Sequence, residues 1–156
     1  MENALREFIC NKKEHLFLFC LLDDEEVDKI ISYFKIVNYR KGDILFEEGD
    51  TGDFIAIIFS GLLEVKKRTE FKGRQIIIAA LKEGSFVGEM SLINEKEPRS
   101  ATVAAREDSE VIIINRQALD SINENYPQIG IKILKGLNQI LAIRLRKAVE
   151  RITDVF

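Results

Sequence analysis

The stretch Phe86-Val87-Gly88-Glu89-Met90-Ser91-Leu92-Ile93-Asn94-Glu95-Lys96-Glu97-Pro98-Arg99-Ser100-Ala101-Thr102-Val103 decides how the rest of the chain is read. An apolar strand end meets a glycine, whose missing Cβ lets backbone approach a ligand closely. Glu89 to Ile93 then has the make-up of one helical turn or two, and the free N–H groups of such a turn form an anion site. Arg99 returns ten residues after Glu89, at the start of the next β-rich run. Its planar fork matches two phosphate oxygens. An acid and an arginine bracketing a turn suit a ligand with both hydroxyls and a phosphate; the alternative is that Glu89 and Arg99 pair with each other across a loop.

Outward from this stretch, residues 36–115 are short β-rich runs broken by glycine. The candidate strands are Ile36–Tyr39, Ile44–Glu47, Phe54–Phe59, Leu62–Arg68, Arg74–Leu81, Ala101–Arg106 and Val111–Asn115. Between them lie Gly42-Asp43, Gly49-Asp50, Gly52-Asp53, Ser60-Gly61, Gly73 and Gly84, which are turn signals. Many short strands at even spacing indicate a sandwich or barrel. Aliphatic residues on both parities of the strands point to a closed roll with a packed interior. The basic run Lys66-Lys67-Arg68, with Lys72 and Arg74, reads as a solvated hairpin tip.

Both ends of the chain are helical in pattern. Leu5, Phe8 and Ile9 share one face of a helix over Glu2–Lys13. Asp23 and Glu26 stand at capping-box spacing ahead of Val27, Ile30, Ile31 and Phe34, which repeat at helical intervals. After Arg116 a short helix passes through Leu119 and Ile122, and Pro127 then occupies a first-turn position. The helix from Pro127 to about Thr153 is roughly 40 Å long at 1.5 Å per residue. It carries one apolar line at Ile129, Ile133, Ile140 and Ile143. A second, heptad-like stripe runs through Leu141, Leu145, Ala148, Ile152 and Val155, and a twin helix could meet it. The overall fold class is mainly β with flanking helices.

Composition removes several functions. With 46% hydrophobic and 31% charged residues, the 156-residue chain can bury a core and is not a disordered segment. Its longest uncharged apolar run, Leu16–Leu22, falls far short of the roughly 20 residues of a membrane span. The start of the chain lacks a signal-peptide pattern, so a cytoplasmic protein is expected. His15 is the only histidine, which argues against zinc, non-haem iron and histidine-centred catalysis, so no metal, no cofactor and no catalytic residue is assigned. Cys10 and Cys20 have neither disulfide-framework nor metal spacing. The formal charge of -3 argues against bulk nucleic-acid binding.

The 86–103 stretch resembles the phosphate-binding cassette of the cyclic nucleotide-binding domains, as in bacterial catabolite activator proteins, protein kinase A regulatory subunits and cyclic nucleotide-gated channels. Gly-Glu, the ten-residue return and Arg99-Ser100-Ala101-Thr102-Val103 are together a specific pattern. The order of glycine turns and the closing helix extend the likeness across residues 20–150. The resemblance implies one domain over residues 1–156: helices over 1–35, an eight-stranded jelly-roll-like β-roll (double-stranded β-helix) over 36–115 and helices over 116–156. It implies a non-enzymatic sensor of cyclic AMP, favoured over cyclic GMP, in which the ligand moves the long helix.

Carried over by position, Glu89 accepts the ribose 2′-hydroxyl. Arg99 holds the cyclic phosphate with the Ser100 hydroxyl and backbone N–H groups near Ser91 and Ala101. Gly88 gives the close approach, and Met90 belongs to the same cassette, with Leu92 and Ile93 in its core. On the long helix the base-contacting position falls on Arg144, where bacterial activators carry a hydroxyl residue. Arg144 either meets the purine or is an exposed helix arginine. The chain ends at Phe156, before any helix-turn-helix, so no direct DNA contact is expected, and it is read as a free-standing sensor or a piece of a larger regulator. The expected partner is a second copy through the long helix. The alternative function is a ligand-free interaction module on the same fold.

Overall fold

The computed structural model describes residues 2–69, 73–90 and 97–153. Eight strands form two four-stranded antiparallel sheets: β1 (Lys35–Tyr39), β2 (Ile44–Phe46), β3 (Phe54–Ser60), β4 (Leu62–Arg68), β5 (Gln75–Lys82), β6 (Phe86–Val87), β7 (Thr102–Ala105) and β8 (Ser109–Asn115). One sheet runs β1-β8-β3-β6 and the other β2-β7-β4-β5. Apart from the β4–β5 hairpin, strands consecutive in sequence sit in different sheets, the interleaving of a jelly-roll-like β-roll. Seven strands match the sequence reading. The eighth, β6, is the two-residue strand end read ahead of Gly88, too short to show alternation.

The roll, within Tyr33–Leu119, is filled from both sheets. Phe46, Ala56, Ile58, Leu63, Val103 and Val111 form the centre of one buried cluster. In β3 both parities are buried: Ile55, Ala56, Ile57 and Ile58 are each at most 1% exposed. That explains why this strand is a continuous apolar run rather than an alternating one. β5 behaves differently. Ile76, Ile77 and Ile78 are more than half exposed on an edge strand, although the sequence there is as aliphatic as β3.

The second unit joins Met1–Ser32 to Asp120–Phe156. It holds α1 (Glu2–Lys12), a 3-10 turn at Phe17–Phe19, α2 (Asp24–Ile30), most of α3 (Arg116–Asn125) and α4 (Pro127–Thr153). The capping box predicted from spacing is present: Glu26 N donates to Asp23 Oδ1 at 2.8 Å, and Asp23 N donates to Glu26 Oε2 at 3.0 Å. The Glu26 carboxylate also accepts Lys132 Nζ of α4 at 2.6 and 2.7 Å. Gly136 packs α4 onto the Phe17–Leu18 backbone; a Cβ there would lie 3.0 Å from the Leu18 carbonyl oxygen and closer still to that of Phe17. On α4, Ile129, Ile133, Leu137 and Ile140 are buried. Leu145 and Ile152 of the heptad-like stripe are 67% and 61% exposed. Val155 lies outside the described residues. No helix among those described is long and apolar enough to cross a membrane.

Glu26 therefore serves a helix start and a contact between helices at once. Glu26→Ala is expected to lower unfolding stability by about 1–2 kcal/mol, more than a cap alone, because Lys132 also loses its acceptors. Urea denaturation of the two proteins measures the difference.

Candidate functional site

The site is built where β6 ends and β7 is about to begin. β6 pairs with β3 through Ala56↔Val87 and Ile57↔Phe86, which carries Gly88 alongside Phe54. β7 lies between β2 and β4, with Phe46↔Val103 and Lys66↔Thr102 in register. Residues 98–101 consequently emerge between the turn after β2 and the far end of β4.

Arg99 is the centre of this arrangement and is only 3% exposed. Its Nη1 donates to the carbonyl oxygens of Phe54 at 3.1 Å and Gly88 at 3.2 Å, and its Nη2 donates to Phe54 O at 3.1 Å. The guanidinium carbon stands 4.0 Å from the Phe46 ring centre and 4.4 Å from that of Phe54. These rings meet edge to face at 5.9 Å, so the cation faces two aromatic surfaces. Nε is buried and has no hydrogen-bond partner among the described residues. Burial pushes the guanidinium below its ordinary range, while Asp53, Asp50 and Glu89 pull in the opposite direction. An arginine stays charged under such a shift, so a cation sits in the roll with a donor that no described residue uses.

Glu89 is 6% exposed and is near enough to act electrostatically on Arg99. Gly88 has φ +92°, and a Cβ there would lie 2.8 Å from Phe54 O and overlap Arg99 Nη1. The predicted glycine is therefore required on two counts, backbone conformation and the arginine against it. Met90 is 48% exposed and Ala101 7% exposed. Ser100 is exposed, and its carbonyl accepts Lys67 Nζ at 2.5 Å. Ser91, Leu92 and Ile93 lie outside the described residues. Arg144 is exposed on α4, in the other unit.

Sequence reasoning did not anticipate how the backbone of Arg99 is held. Gly49 N donates to Arg99 O, and Arg99 N donates to Asp50 O, both at 2.8 Å. Thr51 and Pro98 form a further antiparallel bridge. The turn itself is closed by Glu47 N donating to Asp50 Oδ2 at 2.9 Å. Glu48 N donates to Thr102 Oγ1 at 3.0 Å, and the Glu48 carboxylate accepts Lys67 Nζ at 2.7 Å and Arg68 N at 2.9 Å. Those bonds hold the Glu48 carboxyl below the usual carboxylate range, with the Lys67 bond the largest cause. Gly49-Asp50 was legible as a turn but not as the partner of Arg99, because the two are fifty residues apart in sequence. Phe46 and Phe54 gave no signal beyond core aromatics.

Chemically, the arrangement offers a buried cation with one N–H unpaired among the described residues, a buried carboxylate beside it and a glycine that makes room for the arginine. It is suited to an anionic group that bears a hydroxyl nearby. Among the described residues no group of His, Cys, Asp and Glu could hold a metal ion.

Residues 36–126 match the family model described as the cyclic nucleotide-binding domain. Over 131 residues the chain is 36% identical to the cyclic AMP receptor protein of Thermus thermophilus, an overlap of 84% of this chain and 58% of that protein. A cGMP-dependent protein kinase of Toxoplasma gondii is 32% identical over 77% of this chain, which is 11% of the kinase. A cyclic nucleotide-binding domain from Methylobacillus flagellatus superposes with a TM-score of 0.85 at 30% identity, covering 97% of this chain and 84% of that one. The chain belongs to the cyclic nucleotide-binding domain family. It spans little more than half of the receptor protein and a small part of the kinase.

Two glycines of the site separate conformational strain from steric conflict. Gly49→Ala, with φ +94° but nothing within 4 Å of the new Cβ, is expected to cost about 1–2 kcal/mol. Gly88→Ala adds overpacking and is expected to cost about 2–5 kcal/mol in all. Thermal and urea unfolding of the pair check the order.

Proposed function

We propose that this chain is a non-enzymatic, cytoplasmic sensor that binds a cyclic nucleotide, cyclic AMP in preference to cyclic GMP. The observation that carries the reading is Arg99: a nearly fully buried guanidinium, packed on both Phe46 and Phe54, with Nε unpaired among the described residues. A buried donor without an acceptor is costly, and a phosphate oxygen removes that cost. Glu89 takes the ribose 2′-hydroxyl. The Ser100 hydroxyl and the N–H groups of Ala101 and near Ser91 share the phosphate, while Gly88 and Met90 shape the approach. Arg144 is assigned to the purine, by stacking or by bonding its edge. The preference for cyclic AMP is supported by the likeness to a cyclic AMP receptor protein and by the Arg-Ser-Ala order at 99–101.

Regulation in this reading is a two-state change biased by ligand contacts. Phosphate captured at Arg99 draws the 88–93 turn inward, and α4 moves in response. The exposed Leu145 and Ile152 support homodimerisation through α4, and no DNA contact is assigned to residues 1–156. The same exposed stripe supports a second reading, a ligand-free interaction module.

Calorimetric titration with cyclic AMP and cyclic GMP, after unfolding and refolding to strip bound nucleotide, tests the proposal. Binding at micromolar or tighter dissociation constants is expected, stronger for cyclic AMP. Arg99→Ala should weaken it by roughly 30-fold to several thousand-fold, the range for removing one partner of a buried charged pair. Unchanged affinity in that variant overturns the assignment of Arg99. Absence of heat with both nucleotides from folded protein favours the interaction module.

A further inference from the structure

Lys67 belongs to a basic run that reads from sequence as a solvated hairpin tip, yet its ammonium is anchored on both sides. Nζ donates to Glu48 Oε1 at 2.7 Å and to the Ser100 carbonyl at 2.5 Å. Glu48 is itself fixed, because its other oxygen accepts Arg68 N at 2.9 Å and its N–H donates to Thr102 Oγ1 at 3.0 Å. As an ion pair this contact is partly exposed, 46% for Lys67 and 20% for Glu48, and such pairs add little stability. Its significance lies in the peptide it touches. In a planar trans peptide the C=O and the following N–H point in opposite directions. A cation held on the Ser100 oxygen therefore turns the Ala101 N–H to the opposite side and strengthens its dipole.

We infer that Lys67, set in place by Glu48, is a positioning residue that aims the Ser100–Ala101 peptide so that its N–H faces the bound cyclic phosphate. The inference rests on the cyclic-nucleotide reading above and adds a residue that contacts no ligand atom. Arg99 is located by the Gly49–Asp50 turn from one side; Lys67 fixes the next peptide from β4. Because the cyclic phosphate is common to both nucleotides, the effect must be equal for cyclic AMP and cyclic GMP.

The test is titration of each nucleotide into the wild-type chain, Lys67→Met, Lys67→Arg, Arg99→Ala and the exchange Glu48→Lys with Lys67→Glu, with melting temperatures measured in parallel. Lys67→Met is expected to weaken both nucleotides by the same factor, about tenfold, the scale of one charge-assisted hydrogen bond. Lys67→Arg keeps a donor and should remain within about twofold of wild type on that same scale. The exchanged pair restores opposite charges but places no donor on the Ser100 oxygen, so its affinity should stay at least as low as that of Lys67→Met, the melting temperatures showing that each variant folds. Affinity recovered by the exchange, a loss confined to one nucleotide, or Lys67→Met binding like wild type would each overturn the inference. If wild type binds and only Arg99→Ala fails, this inference alone falls; if wild type binds neither nucleotide, the reading beneath it falls as well.

Discussion

A guanidinium that gives up its water must find replacements for five N–H donors and a full charge. Arg99 recovers part of this from the Phe54 and Gly88 carbonyls and part from the faces of Phe46 and Phe54. Each of these partners comes from a different place in the chain: the end of β2, the start of β3 and the residue after β6. The rim of the roll is therefore arranged around one cation. Phe54 cannot move without breaking two bonds and a ring contact. Gly88 cannot acquire a side chain without displacing the arginine. Constraint of this kind leaves the side chain preorganised, and a ligand that meets it need not pay to order it.

The backbone around Arg99 is as firmly tied as the side chain. Reciprocal bonds with the Gly49–Asp50 turn, the Thr51–Pro98 bridge and the Lys67 contact to Ser100 hold residues 98–100 in place before β7 starts. The turn carries its own closure through Asp50, so it acts as a template rather than a slack loop. Short hydrogen-bonded turns of this sort convert local sequence, here Glu47 to Asp50, into precise placement of a residue far along the chain.

Much of this was legible before the fold was known. Strand and turn positions followed from aliphatic runs punctuated by glycine, the capping box from Asp23 and Glu26, and the long helix from Pro127 and its apolar intervals. Gly88, Glu89 and Arg99 stood out because their residue types and spacing carry a chemistry. What stayed hidden depended on distant pairing. Phe46 and Phe54 are ordinary core aromatics until the sheets bring Arg99 between them, and Lys67 looks like surface charge until β4 lies beside residue 100. Ile76, Ile77 and Ile78 show the converse: their hydrophobicity matches that of β3, but an edge position leaves them exposed. Periodicity reports what a residue prefers, whereas topology decides what it meets.

The bond from Lys132 to Glu26 spans 106 positions of sequence, and it belongs to a unit whose two halves stand at opposite ends of the chain. During synthesis the amino-terminal helices leave the ribosome long before α4 exists. Closing so long a loop carries a large entropic cost, which an already folded roll reduces by bringing the ends together. Connectivity of this kind favours a roll that folds before the helical unit closes. Until α4 arrives, the Phe17–Leu18 backbone and the Glu26 carboxylate lack the helix that packs on them, and the nascent chain in that interval exposes this surface to chaperones and to misassociation.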